Sequence, residues 1–110
     1  MGITKKEIFT VQQNEIANIA KVLGHPARIA IIEHLSKTQS CICNDLVNEI
    51  GLAQATISQH LKELKKVGII QGTIEGTSVC YCLNHDKWKE IKTIINQFLN
   101  IFSDTKNNCC

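Results

Sequence analysis

The sequence predicts a mainly α-helical domain with a single β-hairpin: five helices, with a two-stranded ribbon ahead of the last. Three observations predict it. From Cys41 to Lys66 the apolar residues fall into two short helical patterns broken at Gly51-Leu52. From Ile69 to Leu83 the period shifts to the alternation and β-branching of strands. After Asp86 the helical spacing returns, through Trp88, Ile91, Ile95, Phe98 and Phe102.

Taken in order, the first helix runs from about Lys5 to Leu23, with Ile16, Ile19, Ala20 and Leu23 on one stripe. Gly24-His25-Pro26 breaks it, and proline suits the first turn of the next helix, where its missing N–H costs nothing. That helix, Ala27 to about Lys37, carries Ile29, Ile31, Ile32 and Leu35 and is expected to be largely buried. Polar Thr38-Gln39-Ser40 closes it. The third helix starts at Cys41, with Leu46, Val47 and Ile50 apolar; the fourth starts near Gln54, with Ile57, Leu61 and Leu64 on one face. Gly68 can supply a left-handed helix end. Ile69–Ile74 and Ser78–Leu83 then flank Glu75-Gly76-Thr77 as a hairpin, which puts Cys80 and Cys82 on one face and Val79, Tyr81 and Leu83 on the other. On the last helix Ile94, Leu99 and Ile101 widen the apolar seam beyond what one small domain needs. Residues 1–103 read as one domain and 104–110 as a polar, cysteine-containing tail.

A length of 110 residues leaves room for one core, and 44% hydrophobic with 20% charged residues is a globular balance. A net charge of +2 permits nucleic-acid binding without arguing for it. No run approaches a transmembrane helix, and Met1–Thr10 has Glu7 and no long apolar core, so neither a membrane span nor a signal peptide is expected. The expected compartment is the cytoplasm. There six cysteines in the close pairs Cys41/Cys43, Cys80/Cys82 and Cys109/Cys110 read as thiols acting together, as metal ligands or redox partners, rather than as structural bridges.

Two short helices joined by a tight turn form a helix-turn-helix, whose second helix can enter a DNA major groove. Its outward residues are expected to be Gln54, Thr56, Ser58, Gln59, His60 and Lys62. Amide side chains match the donor–acceptor pair of adenine, and hydroxyls and lysine suit phosphates or base edges. The hairpin tip carries Glu75 and no lysine or arginine, leaving phosphates to Lys62, Lys65, Lys66 and Lys37. An enzyme is not expected: thiol oxidoreductases use C-x-x-C at a helix start beside a sheet, whereas this chain has C-x-C, and no Ser/His/Asp or paired-carboxylate arrangement stands out.

Helix, helix, helix-turn-helix, hairpin, helix is the winged-helix plan. Leu23-Gly24-His25-Pro26-Ala27-Arg28-Ile29-Ala30-Ile31-Ile32 resembles the L-x-x-P-x-R-x-x-I-L signature of the ArsR/SmtB metalloregulatory repressors. Ile57-Ser58-Gln59-His60-Leu61 is similar to their recognition helix, and Gly76–Leu83 to their wing. The resemblance spans roughly residues 15–85. It implies a homodimer, joined through the first and last helices, that binds double-stranded operator DNA without a cofactor and releases it when an inducer binds. The apolar surplus on the last helix points to the same interface.

Cys41-Ile42-Cys43 resembles the C-V-C that arsenic and cadmium/lead sensors of the family place at the start of the helix before the recognition helix. Thiolates favour As(III), Sb(III), Cd(II) and Pb(II), and As(III) takes three. On a helix the two sulfurs would lie about 200° apart around the axis, so one ion held by both would distort that turn and displace the next helix. Asn44 intervenes before Asp45-Leu46, which rotates the pair relative to the family pattern or requires a bulge. A third thiolate is expected from elsewhere, from Cys109 or Cys110 on the tail or from Cys80 or Cys82 on the wing; Cys41, Cys43, Cys109 and Cys110 are the candidate ligands, and Cys80 and Cys82 stay open between ligands and plain strand residues. The family's zinc site on the last helix is not expected, because His85, Asp86 and Glu90 have no second histidine further along. The alternative reading keeps the DNA module and makes the cysteines sensors of oxidants or reactive sulfur.

Overall fold

The computed structural model describes residues 8–38, 41–43, 50–75 and 78–102, of which 42, 43, 74, 75, 78 and 79 are described by backbone alone. Helix α1, Val11–Leu23, begins where Thr10 and Gln13 form a reciprocal cap. The Gln13 amide donates to Thr10 Oγ1 at 3.0 Å, and the Thr10 amide donates to Gln13 Oε1 at 2.9 Å. This cap sets the start of α1 later than the one expected near Lys5; residues 1–7 lie outside the described part.

Helix α2, Pro26–Ser36, has proline in its first turn and His25 as its cap, with Nδ1 accepting from the Ala27 amide at 3.1 Å. Ile31, Ile32 and Leu35 are buried as expected, but Ile29 is 41% exposed, so this helix is covered on one side only. Helix α3, Gln54–Lys66, buries Ile57, His60, Leu61 and Leu64. It ends at Gly68, whose φ of +85° lets the Gly68 amide reach the Lys65 carbonyl and the Ile69 amide reach that of Leu64. Gly51 likewise has φ +84° at the break expected before this helix.

The sheet has three strands, where two were expected. Strand β1, Ile42–Cys43, joins β2, Ile70–Glu75, and β3, Ser78–Leu83, in the antiparallel order β1-β3-β2. The register sets Ile42 opposite Tyr81 and Cys43 opposite Cys80 across one edge of β3, and Gly72 opposite Tyr81 across the other. Cys41–Cys43 is therefore extended and is not the start of a helix. Pairing with β3 supplies hydrogen bonds for a two-residue strand that could not stand alone. Residues 44–49, where most of the expected third helix falls, lie outside the described part; among the described residues there are four helices, not five. Glycine is required at position 72: with φ +137°, an added Cβ would run into the Cys80 carbonyl and lie 2.7 Å from Tyr81 Cα.

Helix α4, His85–Leu99, is capped by Asn84, whose Oδ1 accepts from the Lys87 amide at 3.2 Å. The core joins α1 (Ile19, Val22), α2 (Ile31, Leu35), α3 (Ile57, Leu61, Leu64), the sheet (Ile70, Tyr81, Leu83) and α4 (Ile91). Each such fully buried aliphatic side chain contributes about 1.5–3 kcal/mol. That anchorage holds α3 with its opposite face outward.

Candidate nucleic-acid interface and thiol site

The outer face of α3 follows from its buried one. Gln54, Thr56, Gln59 and Lys62 are exposed, as the sequence predicts, whereas Ser58 is half-buried. Gln54 donates to Ser58 Oγ at 3.3 Å and Gln59 donates to Glu63 Oε1 at 3.4 Å. These one-turn contacts aim both amides along the helix surface rather than into solvent at random. The lysines divide. Lys65 Nζ donates to the Gly72 carbonyl at 2.6 Å, tying α3 to β2, and Lys66 pairs with Glu63 at 3.2 Å. Lys62 has no ion-pair partner among the described residues, so it is the α3 cation most available to a phosphate.

His60 does not belong to that face. It is 8% exposed, its Nδ1 accepts from Arg28 Nε at 3.1 Å, and its ring centroid lies 4.3 Å from that of His25. Arg28 also donates from Nη1 to the Val22 carbonyl at 3.2 Å, near the end of α1. Burial, then the charges of His25 and Arg28, lower the His60 pKa and favour the neutral imidazole that an acceptor needs. The signal was in the sequence: His60 lies three residues after Ile57 and four before Leu64, on the apolar stripe. His25, Arg28 and His60 together brace α3 against the start of α2.

The thiols gather on the sheet. Cys41 is exposed and Cys82 half-buried, and both are free thiols. They lie in contact: a hydrogen bond with Cys82, helped by desolvation and by repulsion from the Cys82 charge, raises the Cys41 pKa. Gln71 Nε2 lies 3.9 Å from Cys82 Sγ. Cys41, Gln71, Cys82 and His85 line one small cleft of ≈ 200 Å³, together with Leu35 and Leu83. Cys80 is disulfide-bonded. Cys109 and Cys110, expected as ligands, lie outside the described residues.

On an extended segment residues two apart share a face, so the expected helical distortion between Cys41 and Cys43 does not apply. The structure brings Cys41 to Cys82, a residue left open by the sequence. The missed signal is the repeated C-x-C: two segments with cysteines at period 2 can meet as paired strands. A contacting dithiol fits part of a thiophilic ion's needs. Among the described residues no three His, Cys, Asp or Glu side chains are close enough together to hold a metal ion.

Residues 25–71 match the family described as bacterial regulatory protein, arsR family. An uncharacterized HTH-type transcriptional regulator of Methanocaldococcus jannaschii is 38% identical over 74% of this chain and 91% of its own. The arsenical resistance operon repressor of Staphylococcus xylosus is 34% identical over 86% of each chain. The homodimeric winged helix-turn-helix DNA-binding domain of a Mycobacterium bovis protein superposes with a TM-score of 0.60 at 18% identity, covering 98% of both chains, and so supports the fold. With its braced recognition helix, its hairpin wing and these relatives, the chain belongs to the ArsR family of DNA-binding transcriptional regulators.

Proposed function

We propose that this regulator is a homodimeric repressor that holds double-stranded operator DNA through α3. It lets go when its cysteine thiolates bind a thiophilic ion: As(III), Sb(III), Cd(II) or Pb(II). Gln54 and Gln59 read base edges, Thr56 and Ser58 contact the DNA backbone or bases, and Lys62 takes a phosphate. His60 acts from inside, by holding the helix in place.

The dimer is supported by apolar surface that the monomer leaves uncovered. Phe98, Leu99, Ile101 and Phe102 at the end of α4, and Ile8, Phe9 and Val11 at the start of α1, are all 43% exposed or more. A groove of ≈ 470 Å³ between the two helices, lined by Ile16, Ala17, Phe98 and Ile101, continues that surface. A second copy brings an identical apolar face to cover it. No helix among the described residues is long and apolar enough to cross a membrane, in keeping with a repressor working on DNA in the cytoplasm.

The observation that carries the sensing role is the contact between Cys41 and Cys82. Cys41 stands at the entry to the helix-turn-helix, and Cys82 stands on the wing strand. An ion held between them, with Cys43 close by in sequence, fixes the entry segment relative to the wing and so resets the tilt of α3 in the groove. Soft ions suit such sulfurs, and the name of the S. xylosus relative points to arsenic as one inducer. The disulfide at Cys80 favours the second reading, in which oxidants or reactive sulfur drive release by linking thiols.

Fluorescence anisotropy of the reduced dimer on the DNA upstream of its own gene separates the two. As(III) or Cd(II) near one equivalent per protomer releases DNA on the first reading. A persulfide donor that releases DNA reversibly, with both ions inert, establishes the second and overturns the first.

A further inference from the structure

Cys80 is disulfide-bonded, yet Cys41 and Cys82 are free, so neither of them is its partner. The backbone register sets Cys43 opposite Cys80. Continued by one residue, the same register sets Cys41 opposite Cys82, and these two thiols are indeed in contact. Opposite residues of an antiparallel pair have Cα atoms about 4.5–5.5 Å apart. A disulfide needs roughly 4.4–6.8 Å, so an opposite pair can be bridged without moving the backbone. Residues directly opposite share a face, and steps of two along a strand keep it.

We infer that Cys41, Cys43, Cys80 and Cys82 form one four-sulfur site, two cross-strand rungs on a single face of the sheet, and that this site receives the thiophilic ion. The inference rests on the thiol-sensing reading and takes the further donors from the wing strand rather than from the tail, the two sources the sequence left open. The rungs lie about 6.6 Å apart along the strands. That is a span four cysteine side chains can close by leaning together around a tetrahedral ion with sulfur bonds of about 2.3 Å.

The rung states set the ligand count. With Cys43 and Cys80 joined, only the Cys41–Cys82 dithiol is available. Two equivalents of a low-molecular-weight thiol break that S–S bond. The reductant gives up two electrons and two protons and leaves as its own disulfide, and Cys43 and Cys80 are released as thiols. Cd(II) can then displace up to four thiol protons, and As(III) can take three of the four sulfurs. The site is a sensor that a disulfide disarms and a reducing cell arms.

Two measurements test this on the full chain. Peptide mapping of protein purified without reductant is expected to show a Cys43–Cys80 linkage; a bond from Cys80 to Cys109 or Cys110 overturns the inference. The reduced protein is then titrated with Cd(II) and, in a separate series, with As(III), each read by thiolate-to-ion ultraviolet absorption against a competing chelator or dithiol. Cys80→Ser with Cys82→Ser is expected to weaken binding by more than about 100-fold, beyond the 10–100-fold typical of losing a mere supporting partner. Cys109→Ser with Cys110→Ser is expected to bind as the unaltered chain does. Undiminished Cd(II) affinity in the wing variant, or its loss in the tail variant, overturns the four-sulfur site while leaving thiol sensing intact. An unaltered chain that binds no Cd(II) or As(III) overturns both.

Discussion

Replacing His60 by alanine separates a base-reading histidine from a bracing one. The imidazole accepts a hydrogen bond from a charged guanidinium, Arg28 Nε at 3.1 Å, in a nearly covered position. A hydrogen bond to a charged group is worth about 1.5–3 kcal/mol, and loss of the ring contact with His25 adds roughly 0.5–1.5 kcal/mol. His60→Ala is therefore expected to destabilise the fold by about 2–4.5 kcal/mol, and to weaken specific and random DNA alike through misplacement of α3. The pH dependence carries the same mark. A histidine whose folded pKa lies below its unfolded value of 6.5 binds fewer protons when folded than when unfolded. Its stabilising contribution is thus complete above that value and is lost as pH falls from there through the folded pKa. The slope from this one group is at most about 1.4 kcal/mol per pH unit. His60→Gln, which keeps an acceptor but does not titrate, flattens that slope while retaining more stability than alanine. Urea unfolding followed through Trp88 fluorescence at one fixed protomer concentration measures both. A loss below about 0.5 kcal/mol, the range of an ordinary surface change, together with altered preference at a single base pair, refutes the bracing role.

The remaining predictions concern the other faces of the molecule. Gln59→Ala is expected to relax sequence preference, whereas Lys62→Gln weakens all DNA equally and lowers the salt slope by about 1; anisotropy on specific and scrambled duplexes over a salt series checks both. Gly72→Ala places a methyl group against the Cys80 carbonyl at positive φ, and is expected to cost more than about 1 kcal/mol in urea unfolding. Phe98→Glu with Phe102→Glu removes exposed apolar rings from the α1/α4 surface, and sedimentation is expected to show monomer with little operator affinity.

What the sequence made legible was what depends on neighbours along the chain. Ile57, Leu61 and Leu64 declare the buried side of α3 by spacing alone, Gly68 declares its end, and the alternation through Tyr81 and Leu83 declares the hairpin and its inner face. The failures depend on distant partners. Cys41–Cys43 is too short to carry a period of its own, and it is a strand only because β3 lies beside it. The family resemblance places it on a helix, and for the same reason the sequence cannot choose between the tail and the wing as the source of the thiol that meets Cys41. His60 shows the same limit: its spacing lies on the buried stripe, but a polar residue on this helix reads as DNA-facing until its partner Arg28, 32 residues earlier, is placed beside it. The Thr10–Gln13 cap, by contrast, is local and has the spacing of a capping box.

The most direct test of thiol sensing compares the unaltered, reduced dimer with a Cys41→Ser, Cys82→Ser variant on the same operator duplex while As(III) is added. The account predicts that the unaltered protein dissociates near one equivalent per protomer and that the variant, still folded and bound, stays on the DNA. A variant that lets go at the same As(III) concentration would contradict it, because release would then need neither of the two sulfurs found in contact.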